Sequence, residues 1–375
     1  MKNRVKNLNL RQIVCCILGV VSLLIFAGLT CFTSFKVKHL QEQQMAERWS
    51  VTGDAAQVSC FFSQGTEITE ETFLAFEAKM KAALQADSIT GSSENESARM
   101  WASAYSATGK IVLNNGKKTV EAKAVGVDGD FFLFHPLQLL NGNFFSGSDV
   151  MQDYVVIDED TAWQLFGSND VAGMQVTIGG VPHIVSGVIK RAEGHLNEAA
   201  GNGETTVYLS YHSLETYGQS QGINCYEIVL PNPITGYGVK LVKENMGIDE
   251  LNMECIENSD RYSVLSLGKV FLAFGTRSMN GKAIIYPYWE NVARGWEDIL
   301  ALVLLFRVIF LLIPVTMLVI VLVKMWKRRT WSLRDVPKLM KNGFEVILKG
   351  IKRVGKGVKK YKKKTEKEAD LEENL

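Results

Sequence analysis

Two uninterrupted apolar stretches frame the chain. Residues 12–33 run 22 positions without a charge, and residues 299–323 carry a single one, Arg307. At ~1.5 Å rise per residue each is long enough as a helix to cross a hydrocarbon core of ~30 Å. Between them the pattern breaks into shorter periods. Residues 55–63 (AAQVSCFFS) predict a strand, and Phe73, Phe76, Met80 and Leu84 recur at helical spacing behind an N-cap at Thr69 and an Ile68–Phe73 staple. Residues 98–107 alternate as a strand with one solvated face would. Segments 110–113 and 119–127 predict a hairpin around Asn114-Asn115-Gly116.

An aromatic run follows at 130–145, then a strand at 154–157 and a helix capped by Asp158, burying Ala162, Leu165 and Phe166 and stopped by Gly167. Strands 174–178 and 183–189 meet at Gly179-Gly180, and 193–204 read as a mobile loop. After a strand at 205–209 and a short helix from Ser210, a second β-α-β pattern comprises strand 225–230, helix 235–246 ended by Gly247, and strand 251–256. Two such units separated by more than a hundred residues predict an α+β ectodomain. It is a split ferredoxin-like sheet with an inserted β-rich lobe at about 140–222, set between two transmembrane helices. In that order the first strand lies beside the third and the last, so Cys60 neighbours both Cys225 and Cys255. A cross-strand bridge would be strained, which favours free thiols.

Charge sets the orientation. Lys2, Arg4, Lys6 and Arg11 precede the first span, and Lys324, Lys327, Arg328 and Arg329 follow the second, so both termini are expected in the cytoplasm. The intervening 34–298 hold 19 Lys+Arg against 33 Asp+Glu, whereas the tail from Lys324 holds 17 against 7; the overall +1 conceals this polarity. The expected organisation is a cytoplasmic N-terminus (1–11), a first span (12–33), an extracytoplasmic domain (34–298), a second span (299–323) and a basic cytoplasmic tail (324–375). A cleaved secretory signal is the rival reading of the first span; its apolar run exceeds the usual length and no A-x-A site follows.

The run LLNGNFF, VVIDEDTAWQLFG and VAGMQVTIGGVPHIVSGVI resembles the extracytoplasmic core domain of MacB-type ABC-transporter permeases. The matching positions are Gly142, Phe144, Phe145, Val155, Val156, Ala162, Leu165, Phe166, Gly167, Gly173, Val176, Val185, Gly187 and Val188. The resemblance extends over roughly residues 10–260. It implies a permease-like membrane subunit of an ABC-type transport or mechanotransmission system, with a nucleotide-binding ATPase and permease subunits as partners and assembly into a homo- or hetero-oligomer. Permeases of this type have four spans, three after the ectodomain, whereas this sequence has one clear span there. No G-x-x-x-x-G-K-[ST] phosphate loop is present, so ATP hydrolysis would come from a partner. The alternative is a membrane-tethered extracellular binding or assembly module without transport activity.

Candidate chemistry is sparse. The five His are scattered, Asp158 to Asp160 open a helix, and the aromatics Phe131, Phe132, Phe134, Phe144 and Phe145 read as core, so no catalytic, metal, cofactor or nucleic-acid site is expected and the chain is not read as an enzyme. Arg307 either pairs with a carboxylate or partner helix or snorkels to the headgroups; Pro314 is expected to kink its helix. In the tail, Met340, Phe344, Ile347, Ile351, Val354, Val358 and Tyr361 form an apolar stripe. Lys349, Lys352, Arg353, Lys356, Lys359 and Lys360 fill the other faces, a basic amphipathic helix suited to the anionic inner leaflet or a partner seam, with a solvated disordered segment as the third reading.

Overall fold

The computed structural model describes residues 10–50, 52–89, 99–147, 149–277 and 282–327. By packing, the chain separates into two units, Leu24–Phe310 and the pair Met1–Leu23 with Leu311–Leu375. Both apolar stretches are helical and longer than their uncharged cores: α1 spans Leu10–His39, and the last helix spans Tyr288–Lys327 without interruption at Pro314. Within the smaller unit, a Cβ added at Gly19 would stand 3.4 Å from the Met317 Sδ, a close approach that small residues allow between apolar helices.

In the larger unit, α1 gives way to a 3-10 turn at Gln41–Gln43 and the short α2 (Met45–Trp49), then β1 (Ala55–Phe62) and α3 (Glu70–Ala86). Thr69 caps α3 through a reciprocal box with Thr72, and Phe73, Phe76, Met80 and Leu84 are all buried, each contributing about 1.5–3 kcal/mol of apolar burial. Next come β2 (Ala102–Asn114), β3 (Thr119–Gly129), α4 (Phe131–Phe134), β4 (Gln138–Gly142), β5 (Tyr154–Asp158), α5 (Glu159–Phe166), β6 (Gln175–Ile178) and β7 (Val181–Lys190). A helical turn α6 (His195–Asn197), β8 (Thr206–Ser210), α7 (Tyr211–Tyr217), β9 (Gln219–Pro231), α8 (Tyr237–Asn245), β10 (Met253–Glu257), α9 (Val264–Leu272) and α10 (Tyr288–Lys327) complete it.

The strands form one sheet in the order β10-β1-β9-β2-β3-β8-β5-β7-β4, with β6 bonded to β2 and β7. The first four are antiparallel and carry α3 and α8 as crossovers, the split ferredoxin-like arrangement. The intervening segment extends that same sheet, because β2 and β9 are 13 residues long and β3 accepts β8 in parallel. One face buries Val58, Cys60, Phe62 and Tyr226 beneath α3 and α8. The other buries Phe61, Ala102, Ala104, Phe131, Phe134 and Trp289, so the aromatic run is core.

Three local expectations are corrected. Segments 98–107 and 110–113 are not separate strands, and the first has no solvated face: β2 is continuous and its first half is covered on both sides, by the helices and by α4 with Trp289. Segment 193–204 is not an open loop but α6 followed by a π turn, with Asn202 buried. Cys225 does not share Cys60's side of the sheet. It stands opposite Phe61, among the residues of the other face, whereas Cys60 stands opposite Tyr226 and Cys255. The tight spot of the outer strands is where β4 meets β7. Gly142 has φ +76°, and a Cβ there would lie 2.1 Å from the Ser186 carbonyl oxygen.

Candidate functional site

Seven charged residues of 254–298, namely Glu254, Arg261, Arg277, Glu290, Arg294, Glu297 and Asp298, meet in one largely buried network. Glu290, Arg294 and Glu297 recur at i, i+4 and i+7, so they share one face of α10 just before its apolar stretch. Into that face projects Arg261, from the turn between β10 and α9, its side chain 2% exposed. Nη1 and Nη2 donate to the two oxygens of Glu290, each at 2.7 Å, and Nε donates to Glu297 Oε1 at 2.5 Å. Nη1 also reaches Gln43 Oε1 at 3.1 Å, in the turn that ends α1. One guanidinium therefore touches the root of both long helices. Arg294 links Glu290 (2.8 Å) to Glu254 of β10 (2.9 Å), while Arg277 pairs with Glu297 and Asp298. The Arg294 guanidinium also stacks 3.7 Å from the Tyr286 ring centroid.

The network continues into the sheet. Asn258 accepts from Arg261 and donates to Ser59 Oγ at 2.7 Å; Ser59 donates to Glu227 Oε1 at 2.8 Å; Glu227 Oε2 meets His135 Nε2 at 2.5 Å. The other ring nitrogen of His135 lies 3.8 Å from Glu42, again beside the end of α1. His135 is packed on Trp289 of α10, with ring centroids 4.6 Å apart. Burial by itself pushes this imidazole down, but the carboxylates of Glu227 and Glu42 outweigh it and hold the ring up at about 9, cationic at neutral pH. Arg261 follows the same logic: burial lowers it, Glu290 more than compensates, and it stays charged. Charges this deep cost several kcal/mol each to desolvate and persist only because every one has a partner.

Asp158 anchors the outer half comparably. Its Oδ1 accepts from Thr161 N at 2.8 Å as the α5 cap, and its Oδ2 accepts from Thr206 N at 3.0 Å, tying α5 to β8. Among the described residues no group of His, Cys, Asp or Glu is arranged to hold a metal ion.

Of the residues singled out in the sequence, Arg307 is described and half-buried. Its Cζ lies 5.8 Å from the Phe26 ring centroid, its Nε has no hydrogen-bond partner, and no ion pair to it is found among the described residues. Phe344, Ile347, Lys349, Ile351, Lys352, Arg353, Lys356, Lys359 and Lys360 lie outside the described residues. The Arg261 network escaped sequence reasoning. The one signal that could have found it is the Glu290, Arg294, Glu297 spacing at the head of an apolar helix.

A mixed sheet-and-helix domain between two helices long and apolar enough to cross a membrane fits a membrane protein with an extracytoplasmic domain. The chain belongs to the MacB-like periplasmic core domain family, whose model matches residues 13–235, more than half of its length. Two curated relatives are macrolide export ATP-binding/permease proteins MacB. That of Chromobacterium violaceum is 33% identical over 76 residues, and that of Pasteurella multocida 29% over 107 residues. These segments are 20% and 28% of this chain and only 12% and 16% of the relatives' length. Among solved structures, the periplasmic region of MacB from Actinobacillus actinomycetemcomitans aligns with TM-score 0.37 and 15% identity over 56% of this chain and 92% of that one. The extracellular domain of the noncanonic ABC-type transporter YknZ from Gram-positive bacteria aligns with TM-score 0.33 and 15% identity, over 53% and 99%. The family expected from the sequence is thus the family found.

Proposed function

We propose that the chain is a permease-like membrane subunit of an ABC-type system, in which the extracytoplasmic domain is mechanically coupled through its two helices to ATP hydrolysis by a partner. The observation that carries this reading is Arg261, whose single side chain bonds to Gln43 beyond α1 and to Glu290 and Glu297 at the head of α10. A bidentate, fully desolvated pair fixes direction as well as distance, so a shift of either helix is transmitted to the turn after β10 and thence to the sheet. Work enters as movement, and no residue forms a covalent intermediate. The domain lies outside the membrane with both termini in the cytoplasm, and the basic tail docks on the anionic inner leaflet.

The coupling reading requires a partner. Purified in mild detergent, the full chain should bring down an ATP-hydrolysing subunit and a multi-span permease in fixed proportion. Isolation as a lone, inactive chain under conditions that preserve other membrane complexes would contradict it. A second reading, a tethered binding module, is favoured by a cleft of about 570 Å³ lined by Thr108, Lys110, Glu121, Lys123, Gln221 and Tyr286, a volume in the usual range for ligand sites.

A further inference from the structure

Cys60 and Cys255 face one another across the edge of the sheet. β1 and β10 run antiparallel with Cys60 directly opposite Cys255. Asn258 N donates to the Gln57 carbonyl, and Ser63 N donates to the Asn252 carbonyl, so the residue pairs at 57 and 63 are the hydrogen-bonded ones. Positions alternate along such a ladder, which makes Cys60 and Cys255 a non-hydrogen-bonded pair, with Cα atoms about 4.5 Å apart. That spacing falls within the ~4.4–6.8 Å that disulfides span. The two Sγ atoms stand 2.9 Å apart, about 0.9 Å beyond bonding distance. The third cysteine outside the spans, Cys225, is opposite Phe61 on the other face of the sheet and cannot compete.

We propose that Cys60 and Cys255 are a disulfide-forming site, oxidised by exchange with a disulfide-bearing compound or oxidoreductase on the extracytoplasmic side. Cys60 is fully buried and Cys255 only partly so, which sets the order of events. The Cys255 sulfur attacks the oxidant's disulfide, forming a mixed disulfide and releasing one thiol. The Cys60 sulfur then attacks Cys255 Sγ, giving the intramolecular bridge and releasing the second thiol. Two protein thiols and one external disulfide thereby become one protein disulfide and two external thiols.

The consequence is local. Among the described residues β10 is the terminal strand of the sheet, with β1 as its strand neighbour. The residue before Cys255 is Glu254, which holds Arg294 at 2.9 Å and accepts from Tyr286 at 2.7 Å. The bridge pins this edge strand, and with it one end of the network on α10. An edge strand can also move to close the ~0.9 Å between the present sulfur separation and a bond, which relieves the strain expected of a cross-strand bridge.

The test uses the full-length chain in detergent, incubated with oxidised glutathione or with dithiothreitol, denatured, alkylated, digested and read by mass spectrometry. After oxidation, Cys60 and Cys255 should disappear from the alkylated peptides and reappear as one linked peptide 2 Da lighter than the sum of its parts, whereas dithiothreitol should restore both to full alkylation. Amide exchange across 253–257 should slow on oxidation, and Cys255→Ser should abolish both effects while leaving Cys60 alkylatable. Full alkylation of Cys60 after oxidation, a stable glutathione adduct at Cys255 without closure, or a linkage of Cys60 to Cys225 would each overturn the assignment.

Discussion

Arg261 and Glu290, 29 positions apart, form a bidentate ion pair with both contacts at 2.7 Å and with side chains only 2% and 1% exposed. The pair joins the turn after the last strand to the head of α10, and the geometry leaves both charges almost no access to solvent. A buried pair of this kind contributes little net stability compared with an apolar replacement, but losing one partner strands the other.

Accordingly, Arg261→Met should destabilise the extracytoplasmic domain by about 3–5 kcal/mol, because Glu290 loses its bidentate partner and keeps a single contact from Arg294, while Glu297 is left with Arg277 alone. The double change Arg261→Met/Glu290→Leu should recover most of that loss. Denaturant melts of the full chain in detergent measure both, and a double variant less stable than the single would contradict the assignment of the pair.

His135 gives the domain a pH dependence. Its folded value of about 9 lies above the ordinary 6.5, so the stabilisation from its contacts with Glu227 and Glu42 is complete below about pH 6.5 and is lost as pH rises through 9. The loss is on the order of 3 kcal/mol. His135→Gln, which can still donate to Glu227 but does not titrate here, should flatten stability between pH 6.5 and 9. An unchanged pH profile in that variant would remove His135 as its source.

The tail supplies a third expectation. A synthetic peptide of residues 338–364 should gain helix on vesicles containing anionic lipid and not on neutral ones, and the gain should fall with added salt. Changing Phe344, Ile347 and Ile351 to Ser should weaken binding even with all charges kept, since the apolar stripe contributes its own share. Equal helicity on neutral and anionic vesicles would point instead to a protein seam.

The legible parts of the sequence were those whose cause is local. Thr69, Asp158, Ser210 and Gly167 mark helix ends because caps are satisfied within a few residues, and the apolar stretches declare themselves by length. The family motif around Gly142 and Gly187 was readable because close strand contact tolerates only glycine there; a Cβ on Gly187 would lie 2.7 Å from the Asn143 carbonyl oxygen. The network was not legible because its members are brought together only by sheet order: Gln43 and Arg261 are 218 positions apart, and His135 and Glu227 are 92. Alternation did mark a strand at the start of β2, but it implied a solvated face for a half that is buried on both. Arg307, conspicuous in the sequence, stands against Phe26 and outside the network.

The central claim, that this network transmits movement between the extracytoplasmic domain and a partner ATPase, is tested most directly by ATP turnover in the assembled complex. The comparison is between the wild-type chain and Arg261→Met/Glu290→Leu, which removes the directional pair while leaving an apolar contact able to sustain the fold. The account predicts that the double variant assembles and melts cooperatively, yet no longer alters the turnover of the ATPase, which falls back to that of the ATPase without this chain. Wild-type turnover in an assembled, folded double-variant complex would contradict it.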